Sequence, residues 1–363
     1  MLLAATAVLL ALAAPALGMH LGFADAGNDA RSTTSRQAYD LLAEGFGPGF
    51  SGPLIVVSEG GQRAAGAVHH TLARTPGVVA VTPAAVSPDG KITTVIAFPG
   101  SKPQDRATQD LVTRLRTTVL PPLAHQTGAR IMVGGTTAAT VDFADAVARR
   151  LPLFIAVVIG LSALLLLLVF RSLLIPLKAA LLNLLSIGAA LGVITLVFQH
   201  GVLGDALGIE PGPIEAFVPV MIFAIAFGLS MDYEVFLLAR MHEVWDRTRD
   251  PQVAIREGMA TTGRVVTAAA AIMVVVFVSF LLDPSRMLQQ FGLGLAVAVF
   301  LDAFVIRCLI VPAAMSLLGT HAWWLPATIG RRLPRVALEG RRSTGPATEG
   351  TRPATARKEE TSA

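Results

Sequence analysis

Two carboxylates, Asp232 and Glu234, stand inside an apolar run, Phe227-Gly228-Leu229-Ser230-Met231-Asp232-Tyr233-Glu234-Val235-Phe236. An ionised Asp at the centre of a membrane-spanning helix costs about 2.5–3.5 kcal/mol on insertion scales, so Asp232 is expected to face a protein interior and to have a task there. The chemistry such a group offers is proton uptake and release. Helical geometry puts Gly228, Asp232 and Phe236 on one stripe at i, i+4 and i+8, with Tyr233 one step round. Gly228 lets a neighbouring helix come close, Ser230 and Phe236 lie near the same place, and the Tyr233 hydroxyl can donate to the carboxylate and relay a proton. The plainer role for Asp232 is a hydrogen bond to another helix. Glu234 faces elsewhere, nearer the end of the span, and is assigned no role.

A later apolar run carries Asp302 and Arg307. Five residues on an α-helix turn about 140° away from each other, so these two are not expected to pair directly. Arg307 lies at a depth close to that of Asp232, which makes an Asp232–Arg307 pair one candidate and snorkelling of Arg307 to the interface the other. Asn183 and Ser186, at i and i+3, read as helix-packing hydrogen bonds. Other chemistries lack their residues. One cysteine, Cys308, and seven scattered histidines give no metal-ligand spacing, and His69-His70 reads as a solvated helix pair. A phosphate-binding Gly-x-x-x-x-Gly-Lys-Ser/Thr loop and a Gly-x-Ser-x-Gly nucleophile motif are both missing from the sequence. An enzyme, a metal and an organic cofactor are therefore not expected, and the coupling ion would be the proton.

The elements that must position these residues are read from hydropathy. Of 363 residues 53% are hydrophobic and 15% charged, against roughly 25% charged in soluble domains. The net charge of +4 suggests nucleic acid no further, because the basic residues do not cluster on one face. Spanning a bilayer takes roughly 20 apolar residues, and 151–170, 179–198, 217–238, 265–282 and 291–318 qualify. Residues 1–18 are apolar and end near small residues as a signal peptide does, but lack its basic start, so they read as a first span missing its beginning. About six spans result: a first at 1–20 and five within 151–320, with an inner loop at 239–264. In that loop Asp250-Pro251 reads as an N-cap and first-turn proline, opening a short surface helix to about Ala260. Trp245, Trp323 and Trp324 stand beside Arg-rich segments, as interface anchors do.

Arg171, Lys178, Arg240, Arg247, Arg249, Arg256, Arg264 and the tail from Arg331 fall on one side, and the short loops opposite hold only Arg286. The positive-inside rule then places both termini in the cytoplasm and residues 21–150 outside it, in a multi-pass protein of the cell membrane. Residues 21–150 read as a folded α+β domain: strands at 53–57, 78–81, 91–98 and 129–133, helices at 62–74 and 104–120, and a turn at Pro88-Asp89-Gly90. This β-α-β-β-α-β order is the ferredoxin-like split βαβ. A helix over 136–150 is expected to feed the second span, and residues 321–363 read as a cytoplasmic tail, disordered after Leu338.

The runs Gly212–Val220, Phe227–Arg240, Thr262–Ala270 and Phe291–Arg307, with Arg36-Gln37-Ala38-Tyr39-Asp40 and Phe46-Gly47-Pro48-Gly49-Phe50, resemble the MMPL transporters of the resistance-nodulation-division superfamily. The resemblance covers about residues 2–326 and is to the C-terminal half. It implies a proton-driven exporter of lipids or other hydrophobic or amphipathic small molecules, with residues 21–150 as porter domain. It also implies that Asp232 and Tyr233 belong to a relay completed by an N-terminal half or a second copy, with Phe236 near a central cavity. A SecDF-like accessory of protein export and a non-transporting scaffold or sensor are the alternatives. The former predicts a translocon partner, the latter indifference to neutralising Asp232.

Overall fold

The computed structural model describes residues 2–204 and 208–324, so most of the tail at 321–363, with the disorder expected after Leu338, lies outside the described residues. In chain order the elements are α1 (Leu2–Ala13, extended as a 3-10 turn to Gly18), β1 (Leu21–Gly22), α2 (Thr34–Phe46), β2 (Leu54–Glu59), α3 (Gly61–Ala73), β3 (Val78–Val81), β4 (Ala85–Val86) and β5 (Ile92–Pro99). They continue as α4 (Arg106–Arg114), α5 (Leu120–Thr127), β6 (Arg130–Gly134), α6 (Thr136–Phe170), α7 (Leu174–Ile194), β7 (Ile214–Glu215), α8 (Val218–Thr248), α9 (Pro251–Ser279), α10 (Arg286–Phe300) and α11 (Val311–Leu318).

The extramembrane domain is built on the alternation of β2 and β5. Leu54 and Val56 on β2, and Val95 and Ala97 on β5, turn the same way onto a core completed by Val68 and Leu72 of α3, Leu111 and Val112 of α4, and Leu120 of α5. Burying each Val or Leu contributes roughly 1.5–3 kcal/mol. The sheet is antiparallel in the order β3-β5-β2-β6, with β4 also pairing β5. Gly90, at φ +72°, closes the turn ahead of β5, where Asp89 Oδ1 accepts the Lys91 N–H at 3.2 Å.

Below the domain lies a helical bundle. Residues 136–170, 174–199, 218–248, 251–282 and 286–323 form five helices long and apolar enough to cross a membrane. Residues 2–18 form a shorter apolar helix, so the count of about six resolves into five long helices and one short one. α6 leaves the domain and enters the bundle as one unbroken helix. α9 differs from expectation. Asp250 caps it, Oδ1 accepting the N–H groups of Gln252 and Val253 at 2.8 and 3.3 Å, but the helix runs on to Ser279 in place of a separate surface helix ending near Ala260. Nothing between those points breaks it, since Gly263 alone is tolerated in a helix whose apolar face is packed.

α1 lies against α7 at Gly188 and Gly192, four residues apart, where small side chains let backbones approach. A Cβ on Gly192 would overlap the Leu12 carbonyl oxygen, whereas one on Gly188 would meet Ala13 Cβ at an ordinary 3.5 Å. Gly192→Ala is therefore expected to destabilise the bundle by about 1–3 kcal/mol through overpacking, and Gly188→Ala to be tolerated. Melting curves in lipid nanodiscs check this, and equal shifts for the two variants would contradict it.

Candidate functional site

The site forms where α7, α8 and the continuation of α10 meet. Ser230 on α8 is its hub: its Oγ lies 2.7 Å from Asn183 Oδ1 on α7 and 2.9 Å from Asp302 Oδ1. Arg307 donates from Nε to Asp302 Oδ2 at 2.9 Å, and from Nη2 to Ser230 Oγ at 2.9 Å and to the Ser230 carbonyl. The Asp302 and Arg307 side chains are 10% and 3% exposed, so the pair is sealed. Ser186 donates to the Ala298 carbonyl at 3.3 Å, a packing bond as its spacing suggests. A cavity of about 10 Å³, room for one water, opens among Asn183, Ser186, Ser230, Tyr233 and Asp302.

The direct Asp302–Arg307 pair corrects the α-helical expectation. Residues 301–310 are wound as a π-helix, whose hydrogen bonds join residues five apart, as the Val311 N–H to Ile306 carbonyl bond shows. In that winding i and i+5 lie much closer round the helix than the 140° of an α-helix, and the two charges meet. Arg307 therefore does not pair with Asp232, and it does not snorkel. Its guanidinium instead sits 5.7 Å from the centroid of the Tyr233 ring, within cation–π range.

Asp232 is placed differently from its expectation too. Met221, Ala224, Gly228, Asp232, Phe236 and Arg240 make one continuous stripe along α8, and that stripe lies on the surface of this chain, not inside its own bundle. Phe236 is 45% exposed, and a Cβ on Gly228 would meet nothing within 4 Å. Among the described residues Asp232 has no hydrogen bond or ion pair. The Tyr233 hydroxyl donates to the Met273 sulfur on α9 at 3.7 Å and not to the carboxylate. The structure thus gathers Ser230, Tyr233, Asp302 and Arg307 into one cluster and leaves Gly228, Asp232 and Phe236 on the face beside it.

Sequence reasoning missed one charged pair. Glu234, given no role, is buried and lies 3.2 Å from Lys178 of α7, with side chains 7% and 8% exposed. Lys178, placed by hydropathy just before its span, is inside the helix. The available signal was that each is an ionisable residue in an apolar helix and so needs a partner. Towards the opposite end, Trp245 stacks on Trp323 with ring centroids 6.1 Å apart, and Arg249 lies over Trp245 at 5.7 Å.

A second polar cluster sits where bundle and domain join. Glu215 on β7 is buried, and its Oε1 accepts the Ala24 N–H at 3.1 Å. Burial lifts this carboxyl above the ordinary Glu value, against the Ala24 N–H and the Arg286 guanidinium, which draw it down. A carboxyl whose pKa is raised in the fold stabilises it fully below the unfolded value and loses that contribution as pH rises through the raised one. The melting temperature of the parent, taken relative to Glu215→Gln, is therefore expected to fall from acidic towards neutral pH. A difference that does not change with pH would contradict the assignment.

A bundle of five membrane-length helices, an α+β domain inserted ahead of them and buried charges at mid-bundle define a polytopic membrane protein. The chain matches the MMPL family over residues 31–343, and it belongs to that family of the resistance-nodulation-division superfamily. It is 38% identical to the membrane protein YdfJ of Bacillus subtilis, over 93% of this chain and 47% of that protein. It is 35% identical to the mycolic acid-containing lipids exporter MmpL11 of Mycolicibacterium smegmatis, over 93% of this chain and 36% of that protein. To the trehalose monomycolate exporter MmpL3 of Mycobacterium tuberculosis it is 38% identical over 61% of this chain and 23% of that protein. The chain thus spans about half the length, or less, of these curated relatives.

Proposed function

We propose that this chain is the C-terminal half of a proton-motive-force-driven MMPL exporter of lipids or other hydrophobic or amphipathic small molecules. The observation that carries this reading is the surface stripe of α8. A carboxylate at mid-depth on a membrane helix is costly against lipid, so the face bearing Gly228, Asp232 and Phe236 calls for a protein cover that the described residues of this chain do not supply. An N-terminal half or a second copy fits that need, and would complete the relay of Asp232 and Tyr233. The match to relatives about twice as long supports the same view.

In this reading Asp232 takes up a proton in one state and gives it up in another, and its charge decides how the two halves pack along the stripe. Tyr233 stands between Asp232 and the sealed Arg307–Asp302–Ser230 cluster, so a change of charge on the stripe is felt by a cation one ring away. No cofactor is needed beyond the proton. The β2–β6 sheet, with α3, α4 and α5 on its core, supports assigning residues 21–150 as a ferredoxin-like porter domain, since its order and antiparallel sense are those of a split βαβ. The basic residues at the opposite end of the bundle support the cytoplasmic placement of that end, with the domain outside the cell membrane. Names of relatives that export mycolic lipids support the substrate class. The test is export by Asp232→Asn in the native cell: loss to background at parental protein level is expected, and retained export overturns the reading.

A further inference from the structure

Two backbone connections join the domain to the bundle, beside side-chain contacts such as the Arg31–Glu210 ion pair and the Asn28 amide donating to the Pro211 carbonyl. One is α6, which runs from the domain into the bundle without a break. The other is a short clasp. β1, the linker after α1, pairs in parallel with β7, the strand leading into α8, with Leu21 opposite Ile214 and Gly22 opposite Glu215. The Ile214 N–H donates to the His20 carbonyl at 2.9 Å and the Ala216 N–H to the Gly22 carbonyl at 3.0 Å.

A ladder of two residues a side has little stability of its own. Here side chains of the clasp itself and of three neighbouring elements hold it. Glu215 accepts the Ala24 N–H. Gln290 of α10 accepts the Glu215 N–H at 3.0 Å and donates to the Pro213 carbonyl at 3.3 Å. Gln199, at the end of α7, accepts the His20 N–H at 2.8 Å. On the domain side the His20 ring meets Gln109 of α4 at 2.9 Å. A Cβ on Gly22 would come within 3.0 Å of Pro213, so the strands are in close contact.

Only Ala216 and Phe217 separate β7 from the first turn of α8. Tilting or sliding α8 would therefore carry β7, and β1 with it, past α6, whose Phe143 ring meets Phe23, next to β1, with centroids 5.4 Å apart. Moving one of two attachments rocks a rigid body about the other, and packed elements of this kind shift between discrete arrangements. We propose that the β1–β7 clasp, with Glu215 and Gln290 as its positioning residues, is the link that passes movement of α8 to the extramembrane domain. The proposal rests on the reading that Asp232 of α8 changes its protonation.

The test uses full-length chain excised with its native membrane in polymer nanodiscs, in a Cys308→Ala background, and two pairs of spin labels. Labels at Pro88 in the domain and Leu161 on α6 read the tilt of the domain. Labels at Arg240 on α8 and Leu165 on α6 read movement within the bundle. Moving from mildly alkaline to mildly acidic buffer is expected to change both distances in the parent. In Glu215→Ala and in Gln290→Ala the bundle pair is expected to respond as in the parent while the domain pair loses most of its change. Glu215→Gln, whose amide oxygen still accepts the Ala24 N–H, is expected to restore it. A full domain response in both alanine variants overturns the clasp and leaves the transport reading intact. Unchanged responses of both pairs in Asp232→Asn overturn the transport reading, and the clasp with it.

Discussion

Asp232→Asn is expected to abolish export while leaving the fold of this chain intact. Asn keeps the size of the side chain and a polar, hydrogen-bonding head, and removes the titratable proton and the charge. Because Asp232 lies on the α8 surface and has no hydrogen bond or ion pair among the described residues, no contact within the chain is lost. Melting temperature and protein level should match the parent, and surface substitutions away from special features usually stay within about 0.5 kcal/mol. Asp232→Glu retains the proton on a longer arm and is expected to keep part of the activity. Export measured beside melting curves separates these outcomes. A destabilised but active Asp232→Asn would assign the residue to packing.

Arg307→Met is expected to do the reverse and to destabilise strongly. It removes the cation that donates to Asp302 Oδ2, Ser230 Oγ and the Ser230 carbonyl, and leaves a sealed carboxylate without a counter-charge. Breaking a buried pair on one side costs about 3–5 kcal/mol, enough to deplete the protein from the membrane. Arg307→Lys should recover little, since an ammonium cannot reproduce the planar fork that reaches three acceptors. Asp302→Leu combined with Arg307→Met should be more stable than Arg307→Met alone, because apolar replacement of both partners removes the unpaired charge. Thermal melts of the three variants in nanodiscs check the order. An Arg307→Met protein as stable as the parent would mean that the pair does not form.

The two experiments also mark where sequence reasoning ends. Hydropathy located the five long helices because twenty apolar residues in a row have few other uses. The stripe of Gly228, Asp232 and Phe236 was legible because helical spacing alone determines which residues share a face. Which way that face turns was not, since mean hydropathy along α8 is the same whether its polar stripe meets its own bundle or another protein. Asp302 and Arg307 looked incompatible because the reasoning assumed α-helical winding, and nothing in Leu301–Ile310 announces a π-helix. Glu234 and Lys178 meet only through the packing of α7 on α8, a contact that no local pattern encodes. In the domain, the alternation of β2 and β5 was readable. β1 and β7, at two residues each, are shorter than any period that could reveal them. The clasp they form, like the charge cluster, is long-range chemistry.

The α8 face bearing Asp232 is expected to meet protein and not lipid. A photo-crosslinking amino acid at position 236 tests it directly, because Phe236 lies on the exposed stripe one turn from Asp232. Irradiated in native membranes, it should capture a polypeptide segment outside residues 1–363 or from a second copy of them, and position 161 on the exposed side of α6 serves as comparison. Crosslinks from position 236 to lipid alone, at the yield seen for position 161, would contradict the account.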